Sequence, residues 1–412
     1  MGPNAELMMQ LFRTFFGCQD PNTDAPAREK CPNYKVHSVF KWARHQWRKA
    51  WIVSQNFSAD EQIAMMQGRS IYKTRTGLFK RIGDGLPADC FADWGYTFDF
   101  YFRNEPVDEK WLEMGLSPLH ARLMHMFSRL HDIGHTCTMD NLFNSVKFAR
   151  AAYSVTRPSE SARLMNTITE VDDESLDEEE VEGALPVSLW VKTQGVIRAS
   201  GRGVTALVKQ DLPSSKKKQE AARGTVKLAI LRGDTQTSNL LIGSCYDQKP
   251  FYMLTNAAES VSWDVLTRGV WSYALKKEVP YRFLRWSLSH TYNHEMNDND
   301  VADQYRLVYR MMRFQRQTKW WWSLFMFFWE NSMANAYHLM RSYYKHMGYP
   351  MTIDHWTFQA DCGWGLMDPE KYWPTRKRRI GTAVENVSPV PPPRVAPVGP
   401  RRPKFTEKAL MA

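Results

Sequence analysis

The sequence predicts a large α/β protein, and three observations carry that expectation. Apolar residues recur at helical spacing in 35–52, 117–130 and again from about 300 to 345. Between these stretches lie runs of strand texture broken by Gly and Asp turns. With 412 residues, 43% hydrophobic and 13% aromatic, the chain has ample material for one large core or two ordinary ones.

In order along the chain, KVHSVFKWARHQWRKAWI (35–52) predicts a helix whose apolar face is Val39, Trp42, Ala43, Trp47, Ala50 and Trp51, with Lys41, Arg44, Arg48 and Lys49 on the solvated side. From Asp60 to Phe102 the pattern turns to strands. SPLHARLMHMFSRL (117–130) predicts a helix with Ser117 as its cap. CTMD then reads as a short buried strand and FNSVKFARAAY as a helix. Over 154–187 the text becomes polar and acidic, with nine acidic and no basic residues in 170–182, which predicts a disordered loop. Strand texture returns in SLWVKTQGVIRA (188–199), TVKLAIL and NLLIGSCYDQKPFYML, interrupted by the basic run holding Lys216, Lys217 and Lys218. The end of the chain, SPVPPPRVAPVGPRRPK, predicts an extended Pro-rich tail that joins no core.

The formal charge is +10, and outside the acidic stretch the positive excess is larger still. That balance fits a polyanionic partner bound with strong salt dependence. Six cysteines lie far apart without a C-x-x-C pair, which excludes a disulfide framework and a zinc knuckle and suggests a reducing compartment. The N-terminus does not read as a signal peptide. The most apolar run, WWWSLFMFFW at 320–329, is too short for a bilayer span, so a soluble protein without membrane partners is expected. TRKRR at 375–379 suggests nuclear import.

TCTMDNLFNSVKF (136–148) sets Asp140 between a strand and a helix, where it reads either as an N-cap or as half of a metal site. The second reading needs partners. SADEQIAMMQGRS (58–70) offers Asp60 at the start of an apolar run, and YNHEMNDNDVADQYRLVYR (292–310) offers Asp300 and Asp303 one helical turn apart. Carboxylates converging from distant segments beside a basic groove suit two-metal phosphoryl transfer, in which ions about 4 Å apart clamp the attacking and leaving oxygens.

Taken together, these segments resemble the transposase domain of the piggyBac family in order and texture. The matching residues are Asp60-Glu61-Gln62 with Gly68-Arg69, Asp140-Asn141-Leu142-Phe143-Asn144-Ser145, Tyr292-Asn293 through Asp300-Val301-Ala302-Asp303-Gln304, Lys319-Trp320-Trp321 and Asn335-Ala336-Tyr337. Gly195-Val196-Ile197-Arg198 and Tyr246-Asp247-Gln248-Lys249-Pro250 resemble two further family segments between them. The resemblance spans roughly 35–345 and resolves Asp140 toward the metal. It implies an RNase H-like catalytic core over 60–153, 188–202 and 291–346, with Asp60 on the first strand, Asp140 at the end of the fourth and Asp300 on a late helix. A β-rich insertion is expected over 203–290, a helical segment akin to dimerisation and DNA-binding regions over 1–59, and a basic tail over 347–412. Two Mg²⁺ or Mn²⁺ ions on Asp60, Asp140 and Asp300 with Asp303 adjacent, no small-molecule cofactor, double-stranded DNA as transposon ends and TTAA target, a homodimer and a nuclear location complete the implication. Lys216, Lys217, Lys218, Arg44, Arg48 and Lys49 are the candidate DNA contacts.

The chain departs from the family pattern in three places. Asn297, Asp298 and Asn299 stand where the family has Gly-Gly-Val, the acidic stretch interrupts a usually short connection, and no cysteine-rich zinc module follows the core. These departures, with only about sixty residues before Asp60, give the expectation of a truncated or domesticated transposase, with a non-cutting DNA-binding derivative as the alternative. RLHDIGH (129–135) also imitates the His-Asp signature of helical metal phosphohydrolases, but His135 runs directly into a strand.

Overall fold

The computed structural model describes residues 32–66, 73, 85–130, 134–155, 191–201, 204, 208, 224–232, 240–247, 249–257, 261–308 and 319–367. The calls on 1–31, on Gly68-Arg69, on Lys216 to Lys218, on TRKRR, on the Pro-rich tail and on all but the first residues of the acidic stretch lie outside them. Two compact units divide the chain, Met1–Gln359 and Ala360–Ala412.

Its centre is an eight-stranded mixed sheet in the order β3-β2-β1-β4-β5-β8-β7-β6. β1 (Asn56–Met65) runs antiparallel to β2 (Gly85–Asp93), which pairs antiparallel with β3 (Tyr96–Phe102). The β2–β3 turn places Trp94 and Gly95 at φ of 52° and 83°, the two positive angles of the tight hairpin turn that follows strand twist. On its other edge β1 is parallel to β4 (Thr136–Met139), and β4 is parallel to β5 (Lys192–Ile197). Every residue of β4 is buried, as expected of a central parallel strand. β8 (Pro250–Thr255), β7 (Leu240–Tyr246) and β6 (Val226–Leu231) continue the sheet antiparallel beyond β5. β9 (Trp263–Ser272) and β10 (Lys277–Trp286) form a separate two-stranded ribbon. The expected β-rich insertion is therefore divided: backbone pairing takes its first three strands into the main sheet, and only the ribbon stands apart.

Side chains alternate across the strands, so each face of the sheet collects its own helices. One face carries Phe57, Phe91 and Phe98 against Phe127 of α3 (Pro118–Phe127), which in turn stacks on Phe148 of α4 (Val146–Val155), after a short α2 (Glu109–Glu113). Ser117 caps α3 as expected, its Oγ accepting from the His120 N–H at 3.2 Å. The other face carries Phe100 and Phe102 against Phe40 of α1 (His37–Ala50) and Phe327 of α7 (Trp320–His346). On that face also lie α5 (Leu288–Glu295) and α6 (Asn297–Val308); α8 (His355–Met367) follows α7. The apolar face of α1 is shifted from the expected one: Phe40, Ala43, Arg44 and Trp47 are buried, and Trp42 is 55% exposed.

That shift overturns the basic face read in α1. Arg44 is buried, donating Nη2 to Glu105 Oε1 at 2.5 Å and Nε to the Phe100 carbonyl at 2.8 Å. Arg48 is paired with buried Asp99 at 3.2 Å, which also binds Arg129. Buried carboxylates on β3 and the loop after it demand these guanidinium groups, so neither is displayed to a duplex. Lys49 alone of the three is exposed.

Candidate active site

The β1–β4 register pairs Ala59 with Met139. Each is followed by an aspartate, so Asp60, midway along β1, and Asp140, just past the end of β4, stand side by side on neighbouring parallel strands. β5 must approach closely here. A Cβ on Gly195 would lie 1.8 Å from the Met139 carbonyl oxygen, and the residue sits at φ +148°, so only glycine fits.

Asp300 is brought to the same place by its helix. In the first turn of α6, Asn299 donates Nδ2 to the Ser58 carbonyl at 3.0 Å and to Ser58 Oγ at 2.9 Å. Two turns later Arg306 donates to the Ile63 carbonyl at 3.3 Å. These two anchors lay α6 along β1 on either side of Asp60. Arg306 also takes Asp303 Oδ1 at 2.5 Å, so the supporting carboxylate serves first as the counter-charge of a buried guanidinium.

Asp60 feels the other two aspartates. Burial pushes the Asp60 carboxyl up to about 7, against a hydrogen bond from the Glu61 N–H, and the charges of Asp140, Asp300 and Glu61 raise it further. Burial also raises Asp140, opposed by the Leu142 and Phe143 N–H groups and by Arg198 and Arg103. Asp300 is raised by burial and then by Asp303. Asp140 does not cap α4: its Oδ1 accepts from the Leu142 N–H at 2.7 Å in a local turn, while Ser145 Oγ accepts from the Phe148 N–H and opens the helix.

Three groups that sequence reasoning had not placed in the site border it. Tyr292 of α5 is raised by burial and by the charges of Asp140, Asp60 and Asp300, so its phenol stays protonated beside all three. Glu295, one turn on, is buried and accepts from Thr138 Oγ1 and, at 2.5 Å, from Gln194 Nε2, tying α5 to β4 and β5. Arg198 is exposed just beyond β5, close enough for its charge to lower Asp140. Tyr292 and Arg198 already stood inside matched motifs, and Asn299 stood out there as a departure from the family pattern; no signal marked Glu295 as a partner of β4 and β5. His135 of the His-Asp-like run is a buried prop, its Nδ1 2.9 Å from the Ser54 carbonyl.

Among the described residues, no group of three or more His, Cys, Asp or Glu side chains stands ready to hold a metal ion. The donor chemistry at Asp60, Asp140 and Asp300 does fit one. All three are carboxylates, the hard oxygen donors of Mg²⁺ and Mn²⁺, and each is raised by burial, which a cation would relieve.

Among solved structures, the chain is similar to piggyBac transposase in a cryo-EM structure of its synaptic complex with hairpin DNA. The TM-score is 0.58 at 14% identity, covering 87% of this chain and 63% of that one. The chain thus has the piggyBac transposase fold and spans less than two thirds of that protein's length. No protein-family model matches the sequence, and no curated protein matches it by sequence.

Proposed function

We propose that the chain is a piggyBac-like transposase core that cleaves and joins double-stranded DNA, with Asp60, Asp140 and Asp300 as its catalytic carboxylates. One observation carries this reading: Asp60 and Asp140 stand side by side on adjacent parallel strands and Asp300 comes from a helix laid along the first of them, each of the other two raising Asp60. Three antiparallel strands followed by two parallel ones support the RNase H-like description of this end of the sheet. The solved neighbour is a transposase held with hairpin DNA, which supports DNA as the partner.

Two Mg²⁺ or Mn²⁺ ions held by Asp60, Asp140 and Asp300, with Asp303 adjacent, would supply an activated oxygen nucleophile and charge for the leaving oxygen. The chain's own groups do the rest. Tyr292 keeps its proton and can donate a hydrogen bond to a phosphate oxygen, and Arg198 adds positive charge on the Asp140 side. Transposon ends, a TTAA target, a homodimer and action in the nucleus belong to the same proposal. Binding to DNA should weaken steeply with salt, because phosphate contacts release counterions.

The test is a strand-transfer assay on pre-cut ends with Mg²⁺ or Mn²⁺, comparing the unaltered chain with Asp140→Ala and Asp300→Ala. Activity lost in both variants supports the triad, and activity surviving both removes it. Melting with Mn²⁺ gives a second readout: the ion should raise the melting temperature of the unaltered chain and not of Asp140→Ala. A non-cutting DNA-binding derivative is the second reading; DNA binding without activity in any of the three proteins would select it.

A further inference from the structure

Next to the carboxylates lies an open cavity of about 270 Å³, lined by the strands beyond β4, the β9–β10 ribbon and α5. It borders the proposed reaction centre through two residues. Val196 follows Gly195, whose partner Met139 precedes Asp140, and Tyr292 stands within reach of the charges of all three aspartates. Tyr246, Phe251 and Phe283 contribute aromatic walls, while Arg268 and Arg285 bring two guanidinium groups.

The two arginines are not equivalent. Arg268 is balanced by Asp247 at 3.1 Å. The Nε of Arg285 is buried without a hydrogen-bond partner, a donor in want of an acceptor. A cavity of this volume lies at the small end of ligand sites, roughly 300 Å³ and upward, so it has no room for a dinucleotide or a multi-ring cofactor. Flat aromatic walls suit stacking, and a guanidinium suits the oxygen and nitrogen acceptors on a base edge.

We propose that this cavity receives one unpaired nucleobase of the DNA strand beside the phosphate being cut or joined. The proposal rests on the DNA reading given above and adds a specific holding site to it. A base that is already unpaired enters at the least cost, so a tailed or hairpin end is preferred to a continuous duplex. The base is held by stacking and by Arg285, and its phosphate is thereby fixed in front of the carboxylates.

The test uses the full chain and a short duplex with an unpaired 3′ tail, carrying 2-aminopurine at one tail position after another. Fluorescence anisotropy of an end label reports DNA binding, and 2-aminopurine emission reports the environment of the base. The expected result is an emission change confined to one position. That change should be lost in Arg285→Gln and in Phe251→Leu, with binding of the tailed duplex about tenfold weaker and binding of a blunt duplex unchanged. Two variants with different chemistry guard against one that fails to fold. Binding with no position-specific signal, or with a signal that both variants keep, overturns the cavity assignment and leaves the DNA reading standing. No anisotropy change with either duplex overturns the DNA reading and the cavity assignment with it. Displacement of the signal by inorganic phosphate alone shows an anion site and overturns the base.

Discussion

The two ends of the main sheet are built to different standards. From β3 to β5 the strands carry helices on both faces and an aromatic core, with β2 and β4 buried throughout. From β8 to β6 the cover is thinner: β6 is only partly buried, and the ribbon beside it leaves Val265 66%, Leu284 56% and Tyr273 88% exposed. The first end holds three part-buried carboxyl groups close enough that two of them raise the third, which demands a rigid, fully packed frame. The second end's exposed apolar and basic side chains suit a surface that meets a partner.

The comparison breaks most decisively at a glycine. Gly195→Ala should abolish the folded protein, costing more than about 4 kcal/mol, because its Cβ would overlap a backbone oxygen of β4. Denaturant unfolding or loss of soluble expression checks this. Arg44→Ala comes next, at about 3–5 kcal/mol, since it strands buried Glu105. A cost below about 1 kcal/mol would show that α1 is not anchored as described.

The third prediction uses pH. Asp60 is raised from 3.8 to about 7, so the folded chain binds a proton that the unfolded chain has released between those values. Stability therefore falls as pH rises through that window and is flat above it. Asp60→Asn should raise stability by on the order of 2–3 kcal/mol at pH 8 and by little at pH 4, measured by denaturant titration at both. The smallest effects belong to the ribbon. An alanine Cβ at Gly269 meets first the mobile end of Glu278, and Arg282 is exposed, so Gly269→Ala and Arg282→Ala should each change stability by less than about 1 kcal/mol. Equal losses at Gly195 and Gly269 would erase the distinction between the two ends.

Much of the better-packed end was legible along the chain. Ser117 before Pro118, the short strand-like run at β4 and the periodicity of α7 are local signals, and local physics writes them directly. Asp60, Asp140 and Asp300 stand out along the chain only by the motifs around them; that Asp60 and Asp140 come to one place follows from the β1–β4 register, and that Asp300 joins them follows from the anchoring of its helix on β1.

What tertiary structure alone decided was the partner of each charge. A helix with Arg44, Arg48 and Lys49 reads as a basic face until β3 and its loop set Asp99 and Glu105 beneath it. Asp303 reads as a fourth ligand until Arg306 takes it, and Asn299 reads as a mere departure from the family pattern until Ser58 receives it. Likewise, strand texture in 226–255 told nothing of which edge those strands would join, since hydrogen-bond pairing is a long-range choice made between backbones. Sequence fixes which groups carry charge and where helices and strands begin. Burial and pairing between distant segments decide which of those charges are spent inside the protein and which remain for a ligand.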